Sequence, residues 1–416
     1  METISARNYS GQLNVPPSKS DAQRALLAAA FANGKSTVTG LGKSQDELVM
    51  LKFIQDIGAQ YSLISEHVIQ VDGIKKFPSE GKFFVGESGL STRLITAMCS
   101  AHEGTFKIDG EGSILKRPMK FFENYLPHFG GRIETTNGFL PITTVGPLKG
   151  RTATLDCSSG SQFLSGLLMA LPLVDGDSKL KVLNLVSTPY VEMTLNTLKK
   201  FGIIINHSEL SSFSIAGNQT YIATNYNIES DWSSASYWLV ASALGMNISC
   251  KGLNLNSLQA DRAILSAFEK ANCSFLENSN RLQINGDSRK AFTFDATDCP
   301  DLFPALATFA SLTSGTTRIF GLKRLKEKES DRGVALQTEF GKLGITIELN
   351  SNEMIIHGKD KIEGGTVNSH DDHRIAMCLG IAGMFAESPI SIQGSESVSK
   401  SYPNFWKDLN TLMTHQ

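Results

Sequence analysis

The 416-residue chain lacks the features that would tie it to a membrane, an oxidising compartment or a nucleic acid. Its longest apolar stretches, such as FLSGLLMALPLV, fall well short of the roughly 20 residues that a membrane span needs. The opening METISARNYSGQLNVPPSKS carries Glu2 and Arg7 and no apolar core, so it does not read as a secretory signal. Six cysteines are scattered at positions 99, 157, 250, 273, 299 and 378, with no C-x-x-C and no paired spacing. Such thiols read as reduced and mostly buried; they argue against a disulfide scaffold and a zinc centre, and they fit the cytoplasm. Neither sign of charge is in excess, with 39 Lys and Arg against 41 Asp and Glu. A nucleic-acid coat or an acidic tail is thereby excluded, and any basic site must be local.

What the chain does have is repetition. Six segments, about 70 residues apart, place a polar, charge-bearing knot directly before a small-residue apolar helix. They read PPSKSDAQRALLAAAF, GESGLSTRLITAMCSA, SSGSQFLSGLLMALPL, DWSSASYWLVASALGM, DCPDLFPALATFAS and DDHRIAMCLGIAG. After each helix comes a turn and a short β-branched strand, as in NGKSTVTGL, HEGTFKIDG and SGTTRIFGL. In five copies a second helix follows, such as DELVMLKFIQDIG or DRGVALQTEFGKLG, with apolar residues at helical spacing and a glycine stop. Strands such as AQYSLI, GITIEL and EMIIHG come next.

The repeat is therefore β-α-β-α-β-β, an α/β class, and six copies make two domains of three. The sixth is cut short at VSKSYPNFWKDLNTL, which reads as a cap. The polar stretch 220–231 marks a boundary between copies three and four, and Pro16-Pro17 marks a stiff joint.

Six helix openings bearing Ser, Lys, Arg, Asp and His are six candidate anion sites. Free N–H groups and the positive end of the helix dipole both favour negative charge there. Lys19, Ser20 and Arg24 open the first helix, combining charge with a hydroxyl able to cap the helix or to donate to an oxyanion. Arg93 follows the Gly86–Gly89 turn, where glycine lets backbone N–H groups approach a ligand. Arg117 precedes Pro118, which is expected in the first turn of a helix.

In RLKEKESDRGVAL, Lys328, Glu329 and Arg332 stand at a helix entrance, and a Glu held between cations can exchange a proton with a bound substrate. His373 and Arg374 occupy another entrance. Asp298 and Asp301 flank Cys299-Pro300 before an apolar helix, as N-caps or, for a substrate hydroxyl, as a general base. Lys400 lies in SKSYP, where an ordinary surface lysine is the simpler reading.

Ten segments in order resemble 5-enolpyruvylshikimate-3-phosphate synthases, of the enolpyruvyl transferase family, over essentially the whole chain. They are PPSKSDAQRALLAAA, GESGLSTRLI, LKRPM, SQFLSGLLMALP, STPY, DWSSASY, PDLFPALA, KEKESDR, DDHRIAM and SKSYPNF. The resemblance implies an inside-out α/β barrel fold in two domains of three β-α-β-α-β-β repeats, 18–228 and 1–17 with 229–416. Each would carry half of the substrate site, and the halves would face each other across a cleft that closes on substrate. It implies that the 5-hydroxyl of shikimate 3-phosphate attacks C2 of phosphoenolpyruvate while C3 is protonated, and that the tetrahedral intermediate then expels phosphate.

By motif, Lys19, Gly89, Arg117, Gln162, Arg332, Arg374 and Lys400 would hold phosphoenolpyruvate. Ser20, Arg24, Ser161, Ser187, Asp301 and Lys328 would hold shikimate 3-phosphate. Asp301 would take the hydroxyl proton, and Glu329 with Lys19 would manage the protons at C3. The resemblance further implies a cytoplasmic monomer in aromatic amino acid biosynthesis, with two small-molecule substrates and no cofactor, metal, nucleic-acid or membrane partner.

Three positions depart from the family pattern. Glu87 stands where Asn is usual, Gly160 replaces the first serine of Ser-Ser-Gln, and Arg324 replaces an Asn. Among the alternatives, UDP-N-acetylglucosamine enolpyruvyl transferases carry a cysteine in the loop before the Arg-Pro pair, and GEGSILKRP has none. A non-catalytic anion-binding protein on this scaffold would be expected to lose Asp301, Glu329 and Lys19, and all three are present. A nucleic-acid end-processing enzyme would need a basic stripe, which the balanced charge disfavours.

Overall fold

The six small-residue helices form where their periodicity places them: Lys19–Phe31, Gly89–Ala101, Ser161–Ala170, Trp232–Ala243, Phe303–Ser311 and His373–Gly383. They are largely buried; in Gly89–Ala101 and His373–Gly383 every residue is. Composition explains this: charged side chains are confined to the openings, and the apolar and small residues behind them can be buried on every side. The computed structural model describes residues 1–278 and 280–413.

The chain divides into two compact units, Pro17–Ile228 and Met1–Pro16 with Glu229–Gln416. In the first, three four-stranded sheets enclose the helices. One runs Glu80–Phe84, Gly104–Asp109, Phe139–Gly146, Arg132–Thr136, with the first pair parallel and the rest antiparallel. Alternate residues Phe106, Ile108, Leu140 and Ile142 are buried, so one face of this sheet lies inward and the other meets solvent. Inside, Leu94, Ile95, Met98, Leu164, Leu167 and Leu168 are fully buried, each contributing about 1.5–3 kcal/mol. Helices Gly89–Ala101 and Ser161–Ala170 approach so closely that a Cβ on Gly166 would stand 2.7 Å from the Arg93 carbonyl oxygen.

The remaining sheets of this unit repeat the order. Thr152–Asp156, Ser178–Leu183, Ser212–Ile215 and Ile205–Ser208 make one of them. The other starts with Asn225–Asn227, which comes last in the unit yet lies parallel to Lys35–Thr39, with Tyr226 opposite Val38. The second unit closes in the same way. Ser10–Asn14 runs parallel to Asn247–Lys251, with Leu13 opposite Cys250, and Thr293–Asp295 opens the sheet continued by Gly315–Phe320.

The sixth repeat has three strands: Gly365–Asn368 parallel to Ile390–Gln393, and Glu2–Ile4 antiparallel on the other side. In place of a second helix and hairpin the chain forms a 3-10 turn, Ser395–Lys400, and the helix Phe405–Thr411. Phe405 packs on Trp238 with ring centroids 5.0 Å apart, so this segment does cap the core.

Two second helices are shorter than their periodicity suggests. RPMKFFENYLPHFGG forms Lys120–Tyr125 followed by the 3-10 turn Leu126–Phe129. Its N-cap is Met119, so Pro118 stands before the helix and not in its first turn. LQADRAILSAFEKA splits into a 3-10 turn, Ala260–Ala263, and the helix Ile264–Lys270. Among the described residues no helix is long and apolar enough to cross a membrane.

Candidate active site

In the unit 17–228 the openings of three core helices meet. Gln23 accepts hydrogen bonds from the Ser91 and Ser88 hydroxyls at 3.0 and 3.5 Å, joining the first opening to the second. Arg93 lies 5.1 Å from the Phe163 ring centroid, joining the second to the third. Arg93 also donates to the Gly89 and Pro118 carbonyls, so its role is to tie the loop before Lys120 to the helix start.

That loop delivers Arg117. The side chain is 9% exposed, and among the described residues its guanidinium has neither a hydrogen-bond acceptor nor a carboxylate, with Nε sealed from solvent. Burying a cation without a counter-charge is costly, so an unneutralised arginine here points to an anion that is not part of the protein. Gly89 is its neighbour: a Cβ there would stand 2.3 Å from Nη1. Glu87, the acidic departure, accepts from the Ser113 backbone N–H at 2.8 Å, bracing the turn that leads to Arg117.

Lys19 is the first residue of its helix, behind the Ser18 N-cap, and its Nζ donates to Asp46 at 2.7 Å. Arg24 is buried and gives its nitrogens to the Thr194 hydroxyl and to the Ser20 and Tyr190 carbonyls, and burial lowers its guanidinium to about 10. Ser161 and Gln162 form the first turn of Ser161–Ala170. Gly160 is the N-cap at φ 136, which a side-chain-bearing residue rarely adopts, and it brings no capping side chain to those first N–H groups. Ser187 holds the left-handed region at φ 57 as N-cap of Thr188–Lys200, the helix whose Tyr190 and Thr194 grip Arg24. A non-glycine residue in that region stores strain that the surrounding fold must hold.

The unit containing residues 229–416 gathers the remaining candidates around Asp301. This residue does not cap a helix; it lies in the 3-10 turn Pro300–Leu302. Its Oδ1 accepts from Arg332 at 2.7 Å and Lys328 at 3.3 Å, and its Oδ2 from Arg374 at 2.9 Å. Burial alone would raise its carboxyl, but Arg374, Lys328 and Arg332 outweigh that and hold it well below the usual range. Arg332, 1% exposed, also donates to Glu329 at 2.5 Å and to Asp372 at 2.8 Å. Burial works against its charge, and Asp372, Glu329 and Asp301 more than restore it. Lys400 ends the turn Ser395–Lys400 and donates to the Asp371 carbonyl at 2.7 Å, beside the opening that carries His373 and Arg374. Arg324 is half-buried near Asp298 and Asp301, and burial lowers its guanidinium.

Two carboxylates at these sites escape a reading of the sequence by motif. Asp372 is the N-cap of His373–Gly383 and a partner of Arg332; its signal is an Asp directly before a helical period. Asp46 lies one residue inside a Ser44–Glu47 capping box, which is what brings it to Lys19.

Triplicated units with helices inside and sheets outside, and openings that concentrate arginine, lysine and carboxylate, define the enolpyruvyl transferase class of fold. Comparison narrows this. The sequence matches the EPSP synthase (3-phosphoshikimate 1-carboxyvinyltransferase) family over residues 5–409, and the chain belongs to that family. A 3-phosphoshikimate 1-carboxyvinyltransferase of Clostridium acetobutylicum is 39% identical, covering 97% of this chain and 95% of its own. One from Clostridium kluyveri is 35% identical over 99% of this chain and 96% of its own. The solved EPSP synthase of Acinetobacter baumannii superposes with a TM-score of 0.81 at 27% identity, covering 99% of this chain and 98% of that one.

Proposed function

We propose that the chain transfers the enolpyruvyl group of phosphoenolpyruvate to the 5-hydroxyl of shikimate 3-phosphate, releasing phosphate, in aromatic amino acid biosynthesis. In the unit 17–228, Lys19, Gly89, Arg117 and Gln162 are assigned to phosphoenolpyruvate, and Ser20, Arg24, Ser161 and Ser187 to shikimate 3-phosphate. In the other unit, Arg332, Arg374 and Lys400 are assigned to phosphoenolpyruvate, and Asp301 and Lys328 to shikimate 3-phosphate. The observation that carries this reading is Arg117, buried beside Gly89 with no counter-charge from the described residues.

The chemistry follows from Asp301. Gripped by three cations, it is a weak base. An anionic substrate on Arg332 and Arg374 takes up part of their charge, so Asp301 gains basicity as the substrates assemble. It then takes the hydroxyl proton as oxygen bonds to C2 of phosphoenolpyruvate, and Glu329 with Lys19 supplies the proton to C3. In the tetrahedral intermediate the C2–O(phosphate) bond breaks, the C3 proton returns to the protein, and the vinyl ether remains. Arginine forks suit the carboxylate and phosphates of these substrates, and holding two anions side by side is itself a large share of the rate.

Phosphate release with phosphoenolpyruvate plus shikimate 3-phosphate tests the reading. Turnover only with UDP-N-acetylglucosamine as acceptor overturns it. We also infer a monomer working in the cytoplasm. All six cysteines are free and buried, as a reducing compartment allows, and light scattering tests the mass in solution.

A further inference from the structure

One buried carboxyl near Asp301 has no part in this scheme. Asp261 lies in the 3-10 turn Ala260–Ala263, is 1% exposed, and its turn packs against helix Trp232–Ala243. The Ser233 hydroxyl, in the first turn of that helix, donates to Asp261 Oδ2. Its Oδ1 is sealed from solvent and has no hydrogen-bond partner among the described residues.

The charged and titratable groups facing Asp261 come from three directions. Cys299 and Asp301 belong to the neighbouring turn, Arg374 to the start of His373–Gly383, and Asp231 is the N-cap of Trp232–Ala243. Arg262 beside it, and Glu269 and Lys270 in the following helix, are exposed and do not face it.

A carboxylate oxygen left without a donor inside a protein is costly, whereas a neutral acid tolerates the same place. Arg374 is the cation that acts on it, and it already donates to Asp301 at 2.9 Å. Asp301 has Arg332 and Lys328 besides, so it keeps the charge of the pair. Burial first, and then the Asp301 charge, push the Asp261 carboxyl up to about 7.

We infer that Asp261 is a positioning residue for Asp301: the buried, proton-bearing member of a carboxyl pair, whose neutrality leaves Arg374 to Asp301 and to the substrate anion. This rests on the reading of Asp301 as the base. Two carboxyls driven to opposite protonation states let one site hold a fixed charge pattern at a single pH. Once Asp261 ionises, it competes for Arg374 and weakens the hold on the anion.

The test is the pH profile of kcat/KM for phosphoenolpyruvate, from about pH 5.5 to 9, in the full-length wild type, Asp261→Asn and Ser233→Ala. The wild type is expected to fall about tenfold per pH unit above roughly pH 7. In Asp261→Asn, which cannot ionise, this limb lies about one pH unit or more higher. Ser233→Ala removes the bond that favours the ionised form and shifts the limb the same way by less.

Infrared difference spectra between acidic and alkaline buffer give a second readout. A protonated-carboxyl band lost with rising pH in the wild type is absent from Asp261→Asn. An alkaline limb that Asp261→Asn leaves in place overturns the inference, as does a wild type without that band. If Asp261→Asn does not fold, Ser233→Ala and the wild-type spectra decide. Asp301→Ala is measured alongside: full turnover in that variant removes the base reading, whereas an unmoved limb with Asp301→Ala inactive removes only the role of Asp261.

Discussion

Replacing Gly89 by alanine adds one methyl group at the point where the helix Gly89–Ala101 meets Arg117. The new Cβ would stand 2.3 Å from Nη1, 2.9 Å from Cζ and 3.0 Å from Nη2, where ordinary contact begins at 3.4 Å. Nη1 must therefore retreat by about 1.1 Å. The group that yields is the tip of a flexible side chain, so the fold should not suffer. The loss falls on the ligand. A displacement of about 1 Å in a positioning group costs up to roughly 100-fold, and a weakened charge-assisted hydrogen bond about 1.5–3 kcal/mol, which is at least tenfold. Steady-state phosphate release is expected to show KM for phosphoenolpyruvate raised about 10- to 100-fold, with the KM for shikimate 3-phosphate much less affected and the unfolding midpoint unchanged. A KM for phosphoenolpyruvate within twofold of the wild type would refute both the assignment of Arg117 and the argument from its missing counter-charge.

Three other outcomes follow from the same geometry. Asp301→Ala and Glu329→Gln should each remain folded by circular dichroism yet lose about 10²–10⁴-fold in turnover, and full activity in either removes it from the catalytic set. Gly166→Ala, whose Cβ would meet the Arg93 carbonyl at 2.7 Å and Ala97 Cβ at 3.1 Å, should lower stability by about 1–3 kcal/mol in urea titration, because two buried helix backbones must part. The two carboxyls give stability opposite pH dependences. Asp261 binds a proton in the folded state up to about pH 7, while an unfolded Asp releases it near 3.9, so its contribution is lost as pH rises across that window. Asp301 is depressed, so its contribution is present above about pH 4 and lost as pH falls below. Asp261→Asn should therefore flatten the decline of the urea midpoint between about pH 4 and 7, at roughly 1.4 kcal/mol per pH unit, and parallel curves for wild type and variant would contradict this.

The helix openings were legible because capping and dipole effects act within one turn. Ser18, Asp231, Asp331 and Asp372 each cap the helix that follows them, and the charged residues of KSDAQR, KESDR and DDHR stand where those periods begin. Which side chains those charges would meet was not legible. Arg24 spends its donors on Thr194, Ser20 and Tyr190, two of them more than 160 residues away, and nothing local in QRALL announces that. Asp301 read by default as a cap, with a general base as the sharper alternative; that it lies in a 3-10 turn instead, among Lys328, Arg332 and Arg374, was not legible.

By itself the sequence determined the repeat, the order of helix and strand within it, and the anion-seeking character of the helix openings, because all of these rest on periodicities of two and 3.6 residues and on contacts within a turn. Tertiary structure decided how each unit closes. Asn225–Asn227 joins Lys35–Thr39, Ser10–Asn14 joins Asn247–Lys251, and Glu2–Ile4 joins Ile390–Gln393, pairings across some 190 to 390 residues that no local pattern encodes. It also set the two carboxyls apart, since burial and the cations brought in from distant segments, not the residue type, push Asp301 down and Asp261 up.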